Sequence, residues 1–436
     1  MKNLQSIEPV AMLPHLCRWL VLSGVLGVLA GSASAGFLFA LDVATGTRVA
    51  HPWLLACLPV AGFATGWVYH RVGRAVEGGN NLLIDEIHDP RRIVPKRMAP
   101  LVLAATVVTH LFGGSAGREG TAVQMGGALA DRLTVLCRLD RDARRVLLMS
   151  GIAAGFASVF GTPLAGAVFG LEVLAIGRLR YDALLACVAS SIVADQVCRL
   201  WGIRHTVYLI PSVPALTPAG FGSAVLAGMA FGVVGMLFAE STHRLGAFVR
   251  HRIAYVPLRP FVGGAVVAAA AAALNVPQYL GLGIPTIEAA FRGPLPVYDF
   301  AGKFAFTVAT LASGFKGGEV TPLFYIGATL GNALSHVLAL PMPVLAGLGF
   351  VAVFAGAANT PIASTLMAIE LFGAPIGIYA ALACVVAYLF SGHAGIYRAQ
   401  RTGHGKHRAL PEGVRASELE AALHVRRDGA GESRGV

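Results

Sequence analysis

Residues 113–130 read GGSAGREGTAVQMGGALA. An Arg118–Glu119 pair sits among glycines, in a chain that is 56% hydrophobic and only 13% charged. An ionisable side chain at membrane depth costs at least a few kcal/mol, so by default it marks an ion or proton path. The glycines supply a bend with open backbone, and TAVQMGGALA continues as a helix that starts just after the carboxylate. Unpaired N–H groups and the positive end of a helix dipole then stand beside Glu119, an arrangement that binds anions. A carboxylate there occupies the place itself when no other anion does. The competing reading is a surface loop with a solvated ion pair, which contributes little.

The rest of the chain favours the membrane. Soluble domains carry about a quarter charged residues, whereas here 436 residues have a mean hydropathy of +0.67. The expected class is all-α and polytopic, and the 53 glycines fit close packing of broken helices. Net charge is +11, with basic residues gathered in PRRIVPKR (90–97), DRLTVLCRLDRDARR (131–145) and the C-terminal tail. Cytoplasmic retention and contact with anionic lipid explain that pattern, and nucleic acid is not an expected partner. Six scattered cysteines show no CxxC and no metal-ligand spacing, so neither a disulfide framework, a metal nor a cofactor is implied. Ala33-Ser34-Ala35 imitates a signal-peptidase site, but apolar sequence runs on to Leu41, so the first helix is expected to stay.

Residues 1–14 are expected to be a tail or short surface helix, 15–400 the membrane domain, and 401–436 a short polar cytoplasmic tail. Apolar segments fall at about 16–44, 53–70, 98–112, 121–130, 146–160, 163–176, 181–200, 218–246, 260–275, 300–313, 322–339, 343–358, 361–373 and 376–392. Many are shorter than the roughly 20 residues that span hydrocarbon, and Gly or Pro interrupts others. Broken and re-entrant helices lining a site would look like this. The two halves, about 15–205 and 215–400, also repeat each other. GREGT at 117–121 faces GGEVT at 317–321, 200 positions on, and TPLAGAVFGLE at 162–172 faces TPIASTLMAIE at 360–370, 198 positions on. Paired interrupted helices in two halves point to a site at their interface, near the midplane.

GREGTAVQMGG, GGEVTP and TPLAGAVFGLE together resemble the CLC family of anion channels and anion/proton antiporters, over about residues 15 to 400. The resemblance implies inverted repeats, a pore in each subunit of a homodimer, and a gating role for Glu119. Three departures are similar to the fluoride-exporting branch. GNNLL puts Asn80 where chloride members carry a filter serine; GREGT puts Thr121 in place of a proline; GGEVTP puts Val320 in place of a phenylalanine and adds Glu319. The family's central tyrosine matches Tyr397, and the inner proton glutamate of chloride antiporters falls at Val173, beside Glu172. The implied partners are fluoride, protons and membrane lipid, in the inner (plasma) membrane with cytoplasmic termini.

The candidate site is therefore Glu119 and Glu319 for gating and proton coupling, with Asn80, Asn81, Gly120, Thr121, Val320, Thr321 and Tyr397 for the anion. Each has a structural alternative. Thr321 and the asparagines are good helix caps, although a hydroxyl or an amide NH₂ also donates to an anion. Glu172 and Glu370, in matched positions, are expected to pack or pair with loop arginines, and His110 is expected to be structural. Asp195 is an intramembrane acid with no named partner. Within the same fold the alternative function is a chloride/proton antiporter or a passive anion channel. Gly113-Gly114-Ser115-Ala116-Gly117 also fits the G-x-S-x-G pattern of a serine nucleophile, which leaves a remote intramembrane peptidase reading.

Overall fold

The computed structural model describes residues 8–419 apart from 394 and 407–409. The first half runs α1 (Glu8–Ala50), α2 (Leu58–Val68), α3 (Asn80–His88), α4 (Met98–Leu111), α5 (Glu119–Leu136), α6 (Arg141–Phe160), α7 (Pro163–Glu172) and α8 (Leu184–Leu200). The second runs α9 (Pro218–Arg252), α10 (Leu258–Leu274), α11 (Ile284–Arg292), α12 (Asp299–Ala312), α13 (Val320–Leu334), α14 (Met342–Ala358), α15 (Pro361–Phe372) and α16 (Gly377–Phe390). Helix for helix the two series match. α3 and α11 are absent from the apolar segments above because each is a short amphipathic helix, only nine residues long.

The structure corrects the register of the repeat around the central motif. α4 and α12 begin at Met98 and Asp299, and the left-handed glycines after them are Gly113 (φ 90°) and Gly314 (φ 100°), each pair 201 positions apart. Beyond that block the 198-position match holds, since α6 ends on left-handed Gly161 and α14 on left-handed Asn359. Packing repeats in the same registers. A Cβ on Gly126 of α5 would stand 2.1 Å from the carbonyl oxygen of Gly151 of α6, and one on Gly327 of α13 would stand 1.9 Å from that of Gly349 of α14. Backbones this close exclude any side chain, which is how small residues hold helices together where lipid supplies no hydrophobic drive.

α1 has 43 residues, so at 1.5 Å per residue it is about 65 Å long and must cross the hydrocarbon strongly tilted. It begins well before residue 15. Ser34 lies inside it, buried, accepting a 2.7 Å hydrogen bond from Ser158 of α6, so the signal-peptide look-alike is packed core. α6 and α14 are almost wholly buried. All six cysteines are unpaired.

One face of the molecule gathers the basic loops. Arg144 binds Asp131 at 2.6 Å and Glu86 at 3.2 Å, and Glu86 in turn accepts from the backbone N–H groups of Arg91 and Arg92. Part of the 90–97 and 131–145 charge is thus spent on holding the loops together. The chain after α16 stays on this face and remains packed beyond residue 400. β1 (Ala175–Ile176) pairs in parallel with β2 (Arg401–Thr402), the Gln400 amide donates to the carbonyls of Val173 and Ala358 at 2.9 Å each, and Arg415 reaches Asp85 at 3.0 Å. A short turn of 3₁₀-helix covers Ala416–Glu418, and residues 420–436 of the predicted tail lie outside the described residues.

Candidate functional site

Two glycine loops, 112–118 and 313–319, lead into the N-termini of α5 and α13, and they meet at the centre of the molecule. Gly117 N–H donates to Gly318 O at 2.6 Å, and Gly318 N–H returns to Gly117 O at 2.8 Å. This single bridge ties one half to the other and points two helix N-termini at one place.

The one-residue correction decides what each helix offers there. α5 begins at Glu119 itself, with Arg118 as its N-cap; α13 begins at Val320, with Glu319 as its N-cap. Glu119 is fully buried. Its Oε2 accepts from the N–H of Arg118 at 3.1 Å and from the N–H of Thr321 at 3.1 Å, while its Oε1 accepts from the Thr321 hydroxyl. Arg118 Nε lies 3.7 Å from Oε1. The Glu119 side chain therefore reaches out of its own half and sits on the N-terminus of α13, ligated as a free anion would be.

Just beyond, the path narrows at Gly120. A Cβ there would stand 3.1 Å from Asn80 Nδ2, 3.2 Å from the Gly318 Cα and 3.8 Å from Glu319 Oε2. A side chain at Gly120 would press on the Asn80 amide and the Gly318 backbone, with Glu319 at ordinary contact distance. Asn80 opens α3 directly after Gly79, whose φ of 55° turns the chain, and its Oδ1 has no hydrogen-bond partner. Asn80, Glu319 and the buried Tyr397 line a vestibule of about 360 Å³ whose wall also carries Arg250 and Arg259. Gln124, Lys316 and Arg398 share its wall, and none of them was singled out in the sequence. Gln124 follows from the helical period, since it lies one turn below Gly120 on α5.

The remaining candidates turn elsewhere. The hydroxyl of Thr121 pairs with that of Thr106 on α4 at 2.7 Å, and Val320 is buried against the core. Asn81 Oδ1 accepts from Ala399 N–H at 2.9 Å, which fastens the segment carrying Tyr397 to α3. The Ser115 hydroxyl meets Thr307 at 2.9 Å, and both nitrogens of His110 face backbone carbonyls, of Thr106 at 2.8 Å and Ala116 at 3.0 Å, leaving that serine no histidine base. Glu172 and Glu370 pair with backbone N–H groups and not with the loop arginines expected of them. Glu172 accepts from the N–H groups of Ile362 (3.1 Å) and Ala363 (2.8 Å) at the start of α15, and Glu370 from those of Leu164 (2.9 Å) and Ala165 (2.8 Å) at the start of α7. Asp195 finds Arg199 at 2.9 Å and His205 at 3.7 Å.

The profile of the family described as voltage gated chloride channel matches residues 61–392. The chain belongs to this, the CLC, family. A chloride/fluoride channel protein of Pseudomonas syringae pv. tomato (strain ATCC BAA-871 / DC3000) is 58% identical, over 99% of this chain and 97% of its own. The H(+)/Cl(-) exchange transporter ClcA of Vibrio parahaemolyticus serotype O3:K6 is 29% identical, over 86% of this chain and 87% of its own. Among solved structures, that of a CLC-type fluoride/proton antiporter superposes with a TM-score of 0.86 at 36% identity, covering 89% of this chain and 98% of that one. A slow cyanobacterial Cl⁻/H⁺ antiporter shares the fold, with a TM-score of 0.77 at 21% identity. This CLC protein thus places the inverted repeat and its crossed N-termini on a known architecture.

Proposed function

We propose that this CLC protein is a fluoride/proton antiporter that expels cytoplasmic fluoride in exchange for protons. The observation that carries the reading is the seat of Glu119. The carboxylate is bound by the N–H and hydroxyl of Thr321 at a meeting of two helix N-termini, where a small anion would find the same donors. A protonated Glu119 loses its charge-assisted bonds and yields the seat; an ionised one takes it back. Anion passage and proton passage are then exclusive uses of one position. The Asn80 amide at the constriction, and the relatives named for fluoride, support fluoride as the anion. Neutral HF crosses lipid and dissociates in the more neutral cytoplasm, so a proton-driven exporter reverses that trap and confers fluoride resistance.

The vestibule side is read as cytoplasmic because the Lys- and Arg-rich loops gather there, along with the end of the described chain. With this orientation we read it as an inner-membrane protein whose termini are cytoplasmic. We read the protein as a homodimer with a pore in each subunit, and the apolar side chains exposed along its helices face lipid or the second copy. Purified protein in liposomes, with fluoride and chloride electrodes reading efflux, tests the function. Fluoride efflux with matching proton uptake is expected; chloride leaving as readily as fluoride makes it a chloride transporter, and fluoride leaving without protons makes it a channel.

A further inference from the structure

On the side of Glu119 away from the vestibule lies a second, much smaller cavity of about 20 Å³, room for about one water molecule. Its wall includes Arg118 and Thr321, the two residues whose side chains contact the Glu119 carboxylate, together with His205, Thr206 and Tyr208 from the loop between α8 and α9. The fold makes room for this imidazole. Gly161, the left-handed residue that ends α6, leaves a space in which a Cβ would stand 2.5 Å from the His205 Cδ2. His205 Nε2 is buried, has no hydrogen-bond partner, and lies 3.7 Å from Asp195 Oδ1. Asp195 is itself buried on α8 and tied to Arg199, whose side chain is 52% exposed. His205, whose side chain is 12% exposed, therefore stands between solvent and the cavity, with Asp195 behind it and the hydroxyl on Glu119 in the same cavity wall.

We propose that His205, held by Asp195, relays protons between the outer solution and Glu119. The proposal rests on the antiporter reading of Glu119. The proton balance is simple. One nitrogen of a neutral imidazole accepts a proton while the other releases one, cavity water and the Thr321 hydroxyl each take one and pass one on, and the carboxylate becomes a carboxylic acid with no net change in the relay. The charged groups facing the ring are Asp195 and Arg199 from α8 and Arg118 from the start of α5. Burial pushes the imidazole down to about 4, helped by Arg118 and Arg199 and opposed by Asp195 and a backbone hydrogen bond to Val159, so the ring is neutral near pH 7. Asp195 is a positioning residue; His205 carries the proton.

The test is His205→Gln, in the wild-type and the Glu119→Gln backgrounds, with the full chain in liposomes. Against the wild type, proton uptake driven by a fluoride gradient should slow by about tenfold or more, with recovery on adding imidazole to the outer solution. In the Glu119→Gln background, where no proton is carried, fluoride flux should not change. Asp195→Asn should slow uptake less and move its dependence on external pH. Unaltered uptake in His205→Gln overturns the relay, while loss of coupling in Glu119→Gln alone leaves the antiporter standing. Equal loss of flux in both backgrounds overturns the relay too, since it marks a histidine that only holds the loop. Coupled uptake surviving in Glu119→Gln moves the proton carrier elsewhere and defeats the reading of Glu119 on which the relay rests.

Discussion

The starts of α5 and α13 carry the same acid in what looks like the same motif, yet the two carboxylates do different things. Glu119 is the first residue of its helix and crosses to the other half, whereas Glu319 precedes its helix and turns to the vestibule. One residue of slip along a helix start rotates a side chain by about 100°. It sets one carboxylate on the N-terminus of α13 and the other in the wall of the vestibule. Near-symmetry thereby supplies two carboxylates on one path without forcing them into one seat, where like charges would keep one permanently protonated.

The strongest way to break that comparison is to remove the charge on each side in turn. Glu119→Gln should abolish proton movement driven by a fluoride gradient and leave a passive fluoride leak, because an amide keeps the shape but cannot titrate. Persistent coupled uptake would move the proton carrier elsewhere. If Glu319 only hands protons on from the vestibule, Glu319→Gln should slow coupled exchange by about tenfold while retaining it. The readout is the rate of proton uptake alongside fluoride efflux. A complete loss of coupling would make the two acids equals and erase the distinction drawn from their register.

Thr321→Val asks how tightly the gate is held. The substitution keeps the backbone N–H and removes the hydroxyl that donates to Oε1. A hydrogen bond to a charged group contributes about 1.5–3 kcal/mol, so the seated carboxylate should weaken by roughly 10- to 100-fold. Fluoride loses the same hydroxyl, so its KM should rise along with the number of fluoride ions leaked per proton. An unaltered KM with intact coupling would mean that the N–H groups alone hold the gate.

Much of this was legible in the sequence, and what was not has physical reasons. Glu119, Thr321 and the convergence of Asn80 on Gly120 follow from motifs that must end in helix N-termini. The roles of Thr121 and Asn81 did not, because a hydroxyl or an amide next to a filter can turn to either side. Thr106 and Ala399, which decide the matter, lie in parts of the chain with no motif of their own. His205 lies in an unpatterned loop, and only the space left by Gly161 brings it to the gate. The repeat itself was visible, but identity of residues aligned GREGT with GGEVT at 200 positions, whereas the backbone aligns at 201. Chemistry had moved by one residue while the fold had not.

The pair formed by Glu172 and Glu370 shows the opposite case, in which the repeat kept both chemistry and register. Each carboxylate leaves the end of its own short helix and caps the start of the other's, so α7 and α15 exchange caps across the two halves. Orphan N–H groups at a helix start need acceptors most where water is scarce. Replacing a side-chain cap typically costs about 0.5–2 kcal/mol. Glu172→Gln and Glu370→Gln should each lower thermal stability by a comparable, modest amount, because an amide oxygen still accepts one of the two bonds. If the caps act only as struts, fluoride/proton coupling should be untouched in both variants. Equal small losses of stability with normal coupling would confirm a symmetric clamp. A coupling defect in Glu172→Gln alone would show that this pair, like the acids at the gate, has been put to unequal use.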